Sequence, residues 1–315
     1  MTRDKVLIAG STAIDQIGVY EGDFRLYQSR YPINGLNISF QLADMLSGFG
    51  GCAPNIAWGL SQLSVESIPL SSAGRNFKDG YESHLRRHNI DTRYIAIDET
   101  TENCATCLMI NDDFGNQIIG FYPGPDSSTR KLPSQIPEVN DISLAILGPE
   151  LPNLTLRQAR DLKQLGIPII FDPGQVVADY LQADILEMLD LSDCLIVNEH
   201  EFRAIQINSN LSANAIYSSV NEVVVTHGAG DVQIRHRDKK IVVAAIKGVS
   251  VLDVTGCGDA FRAGYAYGIL KNMSFKSRAE YGCVMAMLNL QTRHTQNYRT
   301  SLEKVLLLKD KHYGE

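Results

Sequence analysis

Residues Val251–Gly268 read VLDVTGCGDAFRAGYAYG, an apolar lead-in followed by a small-residue turn and then by small and aromatic residues at helical spacing. The pattern predicts a loop that runs into the N-terminus of a helix. Such a loop offers backbone N–H groups and the positive end of the helix dipole to an anion. Asp259 lies in the first turn, where its carboxylate would repel that anion unless it handles a proton.

This combination suits phosphoryl transfer to a hydroxyl group. The N–H groups and a metal ion absorb charge on the transferred group, while a carboxylate accepts the hydroxyl proton. The alternative is an ordinary helix start with Asp259 in a capping role, which is the commoner meaning of an isolated Gly-x-Gly-Asp. Patterns elsewhere in the chain are needed to choose between a phosphoryl-transfer site and an ordinary helix start.

Outside this stretch, apolar strands alternate with helices from about residue 141 onward. The predicted strands are LAILG, IPIIFDPG, CLIVNEHE and EVVVTHGAG, and KVLIAG near the N-terminus is another. The predicted helices lie near Thr155–Leu165, Val177–Leu189, Ser277–Gln291 and Leu302–Leu308. Near-continuous apolar strands that alternate with helices predict an α/β fold with a mostly parallel central sheet covered by helices on both faces.

Two segments, about residues 16–49 and about residues 92–124, break this rhythm. Short alternating runs such as LNISFQLADML, TRYIAIDE, ATCLMI and NQIIGFYPG predict strands separated by polar turns. We expect them to pair into one small β-sheet that acts as a lid and keeps water from a phosphoryl donor. The chain is therefore predicted to be a single domain over residues 1–315 with a β-sheet lid.

Composition excludes several classes of protein. The 315 residues are 44% hydrophobic and carry a net charge of -7, which argues against nucleic acid or an anionic membrane surface as the main partner. No apolar run is long enough to cross a bilayer, and the N-terminus does not resemble a signal peptide, so we expect a cytoplasmic location. Six scattered cysteines should then be reduced, and we interpret Cys104 and Cys107 as strand residues rather than a zinc or redox pair.

Candidate acceptor-binding residues occur early in the chain. Asp15 follows the first predicted strand, and ligands of open α/β sheets bind at the carboxyl ends of strands. Gly50 and Gly51 precede a predicted helix and let a ligand approach the backbone, and Asn55 can hydrogen-bond to hydroxyls. The alternatives are a solvated loop carboxylate for Asp15 and a tight turn at the glycines.

Candidate nucleotide-binding residues follow two later strands. Asn198 and Glu201 lie where carboxylate and amide oxygens could hold Mg²⁺ through water, with helix capping as the alternative. Thr226 and Gly228 belong to a small-residue turn that could lie under a nucleotide, which by itself is a weak signal.

Taken together, these elements resemble the ribokinase family, also called the PfkB family of carbohydrate and nucleoside kinases. The resemblance runs from Asp15 to the last helices. Two patterns carry it: the carboxyl-proximal DVTGCGDAFRAG, and the amino-proximal series Gly51, Asn55, Ala57, Ser64 and Gly74. The chain departs from the family at Cys257, where Ala is usual, and at Ser64, where Gly is usual.

The resemblance implies ATP and Mg²⁺ as cofactors and a role for each candidate residue. It implies Asp259 as the catalytic base and the N–H groups of Gly256, Cys257 and Gly258 as an anion hole. It implies Asp15, Gly50, Gly51 and Asn55 as the residues that grip the acceptor's hydroxyls. It implies Asn198 and Glu201 at Mg²⁺ and the phosphates, Thr226 and Gly228 in the ATP loop, and Asp253 beside a monovalent cation such as K⁺. Cys257 is also expected to make the anion hole sensitive to thiol reagents.

The segments LNISF, GNQIIGFYPG, FDPGQ and NEHE look most like microbial adenosine or broad-specificity nucleoside kinases. A neutral acceptor fits, because the lid segments contain few cations and none between Tyr94 and Gly124. Phe121 and Tyr122 could stack on a base, although strand aromatics more often belong to the core. We therefore expect an ATP-dependent kinase for the 5′-hydroxyl of adenosine or a related nucleoside.

Two alternatives stay open. A sugar kinase for a free pentose or hexose would use the same fold, and a non-catalytic nucleoside-binding regulator would keep the fold without turnover. The sequence also leaves open whether the lid sheets pair two chains into a homodimer.

Overall fold

A nine-stranded, mostly parallel sheet forms the centre of the computed structural model, which describes residues 4–26, 39–114, 116–125 and 130–314. Its strands are β1 (Lys5–Ala9), β4 (Ser67–Ala73), β5 (Ile95–Ile97), β8 (Ile142–Leu147), β9 (Ile169–Phe171), β10 (Cys194–Asn198), β11 (Glu222–Thr226), β12 (Val232–His236) and β13 (Lys239–Val243). The order across the sheet is β13-β12-β11-β10-β9-β8-β1-β4-β5. Only β12 pairs antiparallel, with β11 and β13.

The sheet is buried on both faces, which explains why its strands are almost continuously apolar. Successive residues of β1 point to opposite sides, so Val6 and Ile8 belong to one hydrophobic cluster while Leu7 and Ala9 belong to another. Each cluster is completed by helices on its own side of the sheet. The predicted α/β architecture is confirmed.

The helices lie on both sides of this sheet. They are α1 (Cys52–Gln62), α2 (Tyr81–Arg87), α3 (Pro152–Gln164), α4 (Gln182–Leu191), α5 (Glu199–Ser209), α6 (Ala213–Ser219), α7 (Cys257–Leu270), α8 (Phe275–Leu290) and α9 (Leu302–Tyr313). None of the helices in the described ranges combines the length and the apolar character that a membrane crossing requires.

The helix predicted near Val177–Leu189 is displaced. Residues Gly174–Asp179 form a 3₁₀ helix, and Leu181 is extended with φ -71° and ψ 158°. The side chain of Asp184 accepts a hydrogen bond from the Leu181 N–H at 3.4 Å, so the α-helix begins only at Gln182.

A separate four-stranded sheet contains β2 (Ala13–Tyr20), β3 (Asp44–Gly50), β6 (Ala105–Asp112) and β7 (Gln117–Tyr122), in the order β3-β2-β6-β7. Strands β2 and β6 are parallel, and the other two pairs are antiparallel. Part of the run LNISFQLADML lies outside the described residues, and its strand begins at Asp44. The four strands come from the two segments that were predicted to form a lid.

Two details of this region differ from the sequence expectations. Asp15 lies inside β2 of the small sheet rather than in a loop beyond β1, because the chain starts a new strand at Ala13. The run TRYIAIDE contributes β5 to the edge of the large sheet, where Ile95 pairs with Ser71, and does not join the small sheet. Both differences arise from the pairing of strands that are distant in the sequence, and a local alternation pattern does not predict such pairing.

Candidate active site

The loop predicted to precede a helix does so. Gly256 lies at the N-cap of α7 with φ 72°, a left-handed conformation that favours glycine. Asp253 holds the start of the loop: its carboxylate accepts hydrogen bonds from the N–H groups of Thr255 and His294, both at 2.9 Å. The Cys257 N–H donates to the carbonyl of Val254 at 3.2 Å, so this amide of the predicted anion hole already has an acceptor within the loop.

Asp259 lies in the first turn of α7 and is partly accessible at the wall of a cavity. Its Oδ2 atom accepts a hydrogen bond from Nδ2 of Asn55 at 2.9 Å. Desolvation by the surrounding protein raises the pKa of Asp259, while the guanidinium of Arg262 and the bond from Asn55 act against that rise. The structure thus places Asn55 on Asp259 itself, a contact that the sequence did not indicate.

A buried ion pair lies next to this carboxylate. Arg262, one turn along α7 from Asp259, contacts Asp172, whose carboxylate is 2.5 Å from the guanidinium nitrogen Nε. Asp172 is 1% exposed and follows β9 directly. The carboxylates of Asp172 and Asp259 raise the pKa of Arg262, so its guanidinium group remains protonated and positively charged. Arg262 therefore supplies positive charge at the cavity wall.

Asp15 of β2 and Gly50 of β3 are diagonal neighbours on adjacent strands of the small sheet. A Cβ atom on Gly50 would lie 2.1 Å from Oδ2 of Asp15, so any larger residue would displace that carboxylate. Burial raises the pKa of Asp15 to about 7, and repulsion from Asp259 and Asp253 adds to the rise. The predicted acceptor residue Asp15 is therefore within electrostatic reach of the predicted base.

Gly51 precedes α1 in a conformation that favours glycine, with φ 91°. A Cβ atom there would meet backbone atoms of Ser11, Thr12 and Ala13 at 2.5 to 2.8 Å. The glycine pair therefore lets the start of α1 pack against the connection between β1 and β2. This packing brings Asn55 to Asp259.

A cavity of about 740 Å³ opens between the large sheet and the small sheet. Of the predicted site residues, those that line it are Glu201, Gly256, Gly258 and Asp259. It is also lined by residues that were not predicted, among them Ser11, Thr12, Cys52, Asp172 and Arg262. Ser11 and Thr12 directly follow β1, so the rule that ligands bind at strand ends could have found them.

Phe121 of β7 also lines the cavity and is 48% exposed. Tyr122, the next residue, points to the opposite face of the strand and is 45% exposed. The expectation that these two aromatics belong to the core is wrong, because the residues that the structure describes leave about half of each side chain exposed. Phe121 is available to stack on a planar ligand.

Arg130 brings a cation that the lid segments lack. It is 5% exposed, lines the cavity and lies 3.0 Å from the carboxylate of Glu150. Its guanidinium also donates to the hydroxyl of Ser72 at 3.2 Å. No local pattern marks Arg130, because it follows a polar connection. Its charge is already neutralised by Glu150.

Asn198 and Glu201 form a reciprocal capping box at the start of α5. The Asn198 side chain accepts from the Glu201 N–H at 2.9 Å, and the Glu201 carboxylate accepts from the Asn198 N–H at 2.8 Å. The capping alternative is therefore present in the structure. Glu201 nevertheless lines the cavity, and its second carboxylate oxygen is not part of the box.

Glu201 fits Mg²⁺ only as one ligand among water and phosphate oxygens. The described residues contain no group of three His, Cys, Asp or Glu side chains that could hold a metal ion. Mg²⁺ keeps several waters and is commonly bound by one or two carboxylates plus substrate phosphates, so a single carboxylate at the cavity is sufficient.

Thr226 and Gly228 lie beside the capping box rather than in the cavity lining. Thr226 ends β11 and is the direct cross-strand neighbour of Asn198, which ends β10. Gly228 follows in the turn with φ 59°, and a Cβ atom there would meet no heavy atom of the described chain within 4 Å. The structure thus brings Asn198, Thr226 and Gly228 together at the carboxyl edge of the large sheet.

Burial raises the pKa of the Cys257 thiol to about 11, which lowers the fraction of thiolate at neutral pH. The sensitivity of the loop to thiol reagents stays a prediction. Both cysteines of the pair are free thiols; Cys107 is a residue of β6, as interpreted from the sequence, whereas Cys104 directly precedes that strand.

Comparison with known proteins gives matches along nearly the whole chain. The model of the pfkB family of carbohydrate kinases matches residues 3–301. The nucleoside kinase of Methanocaldococcus jannaschii is 28% identical over 311 residues, which cover 98% of this chain and 98% of that protein. The ribokinase of Lactococcus lactis subsp. lactis is 26% identical over 302 residues, which cover 93% of this chain and 96% of that protein.

A solved structure shares the fold closely. The nucleoside kinase of Burkholderia thailandensis in complex with inosine gives a TM-score of 0.89 at 28% identity, covering 98% of this chain and 99% of that chain. The same protein in complex with ADP-inosine gives a TM-score of 0.84 at 29% identity, covering 98% of this chain and 96% of that chain.

Proposed function

Because this chain belongs to the pfkB family of carbohydrate kinases, we propose that it transfers the γ-phosphoryl group of ATP to the 5′-hydroxyl group of a nucleoside. It is a phosphotransferase that acts on a hydroxyl group. The nucleoside as acceptor, and adenosine or a close relative as the preferred one, belong to the proposal. The observation that carries it is Asp259, held by Asn55 at the helix start and exposed to a cavity of about 740 Å³.

In the proposed mechanism, Asp259 accepts the proton of the acceptor hydroxyl as the phosphoryl group moves in line. The N–H groups at the start of α7 stabilise the negative charge that develops on the transferred group. Asp15 and Asn55 orient the acceptor's hydroxyls, and the small sheet excludes water. Asn198, Thr226 and Gly228 line the edge of the large sheet where the nucleotide would bind.

Metal ions complete the proposal. Mg²⁺ would be held by Glu201 together with ATP phosphates and water, and it neutralises charge on the phosphates when bound. K⁺ is proposed beside Asp253, whose carboxylate oxygens each accept one N–H and keep a second lone pair for a cation. Replacing K⁺ with choline in the assay tests this part, because unchanged turnover would exclude it.

A neutral acceptor is favoured over a sugar phosphate. The two arginines in the cavity lining, Arg130 and Arg262, are each paired with a buried carboxylate, so neither is available to a phosphate on the acceptor. Phe121 offers an aromatic face for a nucleobase. The nucleoside kinases from two organisms that match the chain end to end support the same choice. A free pentose remains the second candidate, since a ribokinase also matches.

The test is an ADP-release assay with adenosine, inosine, cytidine, ribose and fructose 6-phosphate at equal concentrations. We expect adenosine or another nucleoside to give the highest kcat/KM. A ribose signal that exceeds every nucleoside would replace the proposal with the sugar kinase alternative. Nucleoside binding by calorimetry without ADP release would favour the non-catalytic regulator.

The variant Asp259→Asn tests the mechanism. It retains the shape of the side chain and removes the base, so we expect turnover to fall by about 10²–10⁴-fold while nucleoside affinity changes little. The measurement pairs initial rates with calorimetric binding. Near-normal turnover would refute the assignment of the base.

We also propose a cytoplasmic enzyme that pairs through its small sheet. All six cysteines are unpaired thiols, which suits a reducing compartment. On the face of the small sheet that carries Leu108, the apolar side chains of Met45, Ile118 and Tyr122 are each at least 41% exposed. An exposed apolar face of this kind is typical of a surface that another chain covers.

A further inference from the structure

A chain of buried side chains ends on Asp259. His84 of α2, Gln296 of the segment between α8 and α9, and Asn55 of α1 are joined in sequence by hydrogen bonds. Gln296 and Asn55 are 2% and 5% exposed, so water does not compete for these bonds. We call these three residues the amide chain.

A backbone carbonyl fixes the direction of the first step. The carbonyl of Gly50 can only accept, so the hydroxyl of Tyr81 donates to it at 2.7 Å. The Tyr81 oxygen must then accept from Gln296, whose facing atom, at 2.7 Å, is therefore the donor Nε2. The orientation of the Gln296 amide follows from this geometry.

The same logic orients Asn55. The Nε2 atom of Gln296 also lies 2.9 Å from Asn55, so the Asn55 atom that faces it must be the acceptor Oδ1. The hydroxyl of Thr295 lies 2.7 Å from the same oxygen and 2.9 Å from the carbonyl oxygen of Phe49, and its single proton serves one of these two acceptors at a time. The other end of the Asn55 amide, Nδ2, must then face Asp259, where it donates at 2.9 Å.

His84 completes the chain at its far end. Its Nε2 atom lies 3.1 Å from Oε1 of Gln296, which can only accept, so the imidazole donates from that nitrogen. The ring stacks on Trp58 with centroids 5.1 Å apart and an interplanar angle of 7°. Burial, with a smaller contribution from the nearby His88, lowers the pKa of His84 to about 4, so the ring is neutral at physiological pH.

We propose that Gln296, with His84 and Thr295, positions the catalytic base by locking the Asn55 amide so that its N–H faces Asp259. Each bond of the amide chain is donated toward Asp259, so the aligned dipoles favour the ionised carboxylate that accepts a proton. This inference rests on the proposed phosphoryl transfer and adds to it residues that do not touch the reacting atoms. They are positioning residues.

The amide chain also predicts a pH effect. Without the locked N–H, the ionised form of Asp259 loses a hydrogen bond, so the pKa of Asp259 rises and the acid limb of the rate profile moves to higher pH. Other groups around Asp259 stay in place in such a variant. They are Arg262 on the same helix, Asp15 of the small sheet, Asp172 after β9, Glu201 of α5, and Cys52, Cys257 and Tyr298.

The experiment uses Gln296→Met in the full chain. Methionine keeps the volume of glutamine and removes the donor. We expect kcat to fall by about ten- to hundred-fold, the KM for ATP to stay within about two-fold, and the acid limb of kcat to move up by about half to one pH unit. Gln158→Met is the matched control, because Gln158 is 1% exposed and its amide makes no hydrogen bond within the described residues.

Two further measurements keep the outcome clear. Thr295→Val, which removes the hydroxyl shared between Oδ1 of Asn55 and the carbonyl of Phe49, should change kcat and the acid limb in the same direction by a smaller factor, and it serves if Gln296→Met does not fold. The carboxyl carbon of Asp259, identified in ¹³C NMR spectra by its absence from Asp259→Asn, should titrate at higher pH in Gln296→Met without any substrate.

The outcomes separate this inference from the proposed function. A wild-type chain that phosphorylates no nucleoside or sugar would refute the proposed function, while the NMR titration would still judge the positioning of Asp259. An active wild type whose kcat, acid limb and Asp259 titration are unchanged in Gln296→Met and Thr295→Val overturns the inference. An equal loss of kcat in Gln158→Met, with no shift of the acid limb in any variant, also overturns it.

Discussion

At the scale of single residues, the site is a concentration of negative charge, with the cation of Arg262 next to Asp259 and Asp172. Asp15, Asp172 and Asp259 all have a raised pKa because they are desolvated, and each of the last two is opposed by Arg262. The desolvation of these carboxylates destabilises the ligand-free protein. They are present because the same carboxylates are needed when hydroxyls and phosphates bind. Asp15 is the clearest case, since burial and then the charges of Asp259 and Asp253 all raise its pKa.

We expect Asp15→Asn to stabilise the ligand-free protein in a pH-dependent way. The pKa of Asp15 in the folded protein, about 7, exceeds its ordinary value of 3.8, so the stability that protonated Asp15 contributes is present below pH 4 and is lost as the pH rises toward 7. The gain in melting temperature of Asp15→Asn should therefore grow between pH 5 and pH 8, at about 2–4 °C per kcal/mol relieved. Thermal unfolding by circular dichroism measures it.

Asp44→Asn is the control, because Asp44 is an exposed carboxylate at the start of β3 in the same sheet. A gain for Asp15→Asn that is the same at pH 5 and pH 8 would contradict the assigned cause. Nucleoside affinity should fall in Asp15→Asn and not in Asp44→Asn, since the proposal gives Asp15 a place at the acceptor's hydroxyls.

At the scale of secondary-structure elements, α1 contains the site residue Asn55 and is followed by Ser64, where the chain departs from the family pattern. Ser64 follows the helix with φ 58°, the left-handed conformation in which glycine is favoured. This explains why the family usually has Gly at this position. Ser64 is exposed, so the cost of its conformation is not offset by packing of its side chain.

We expect Ser64→Gly to raise the free energy of unfolding by roughly 0.5–1 kcal/mol. Relief of the left-handed strain exceeds the extra backbone entropy that glycine brings to the unfolded chain. Denaturant unfolding at constant pH measures the change. Asn89→Gly is the matched control, because Asn89 follows α2 with φ 57° but asparagine tolerates this conformation, so its change should be near zero. Equal or lower stability of Ser64→Gly would contradict this explanation.

At the scale of the whole molecule, the small sheet has two faces with different environments. The face that carries Asp15 and Phe121 turns toward the cavity. The face that carries Leu108 and Ile118 exposes apolar side chains. Within the described part of the chain nothing covers that second face, which is why we propose that a second chain does so.

We expect Ile118→Glu to turn a dimer into a monomer. The added charge lies on the exposed apolar face and faces away from the cavity, so turnover per chain should persist while the contact between chains is lost. Sedimentation velocity at several concentrations measures the mass. Ile207→Glu on α5 is the control, since Ile207 is 71% exposed on a helix of the large-sheet layer. A wild-type chain that sediments as a monomer at high concentration would rule out the dimer.

The sequence by itself determined the layers of the molecule and the chemical type of the site. Apolar strands of β1 and β8–β11 can be buried on both faces only in a sheet covered by helices, and a glycine loop before Asp259 can only begin a helix. These are local regularities, so a short window of sequence contains them. The predicted fold is confirmed for that reason. The predicted start of α4 was wrong, because a 3₁₀ helix precedes the α-helix.

Only the tertiary structure decided which groups act on Asp259. Asn55 and Asp259 are 204 positions apart, and Gln296 and Asn55 are 241 positions apart, yet hydrogen bonds join them. Arg130 likewise enters the cavity from a connection with no pattern of its own. Such contacts depend on how α1, α2, α7 and the segment before α9 pack around the sheet. The proximity of these residues follows from tertiary packing, which produces no periodic pattern in the sequence from which it could be predicted.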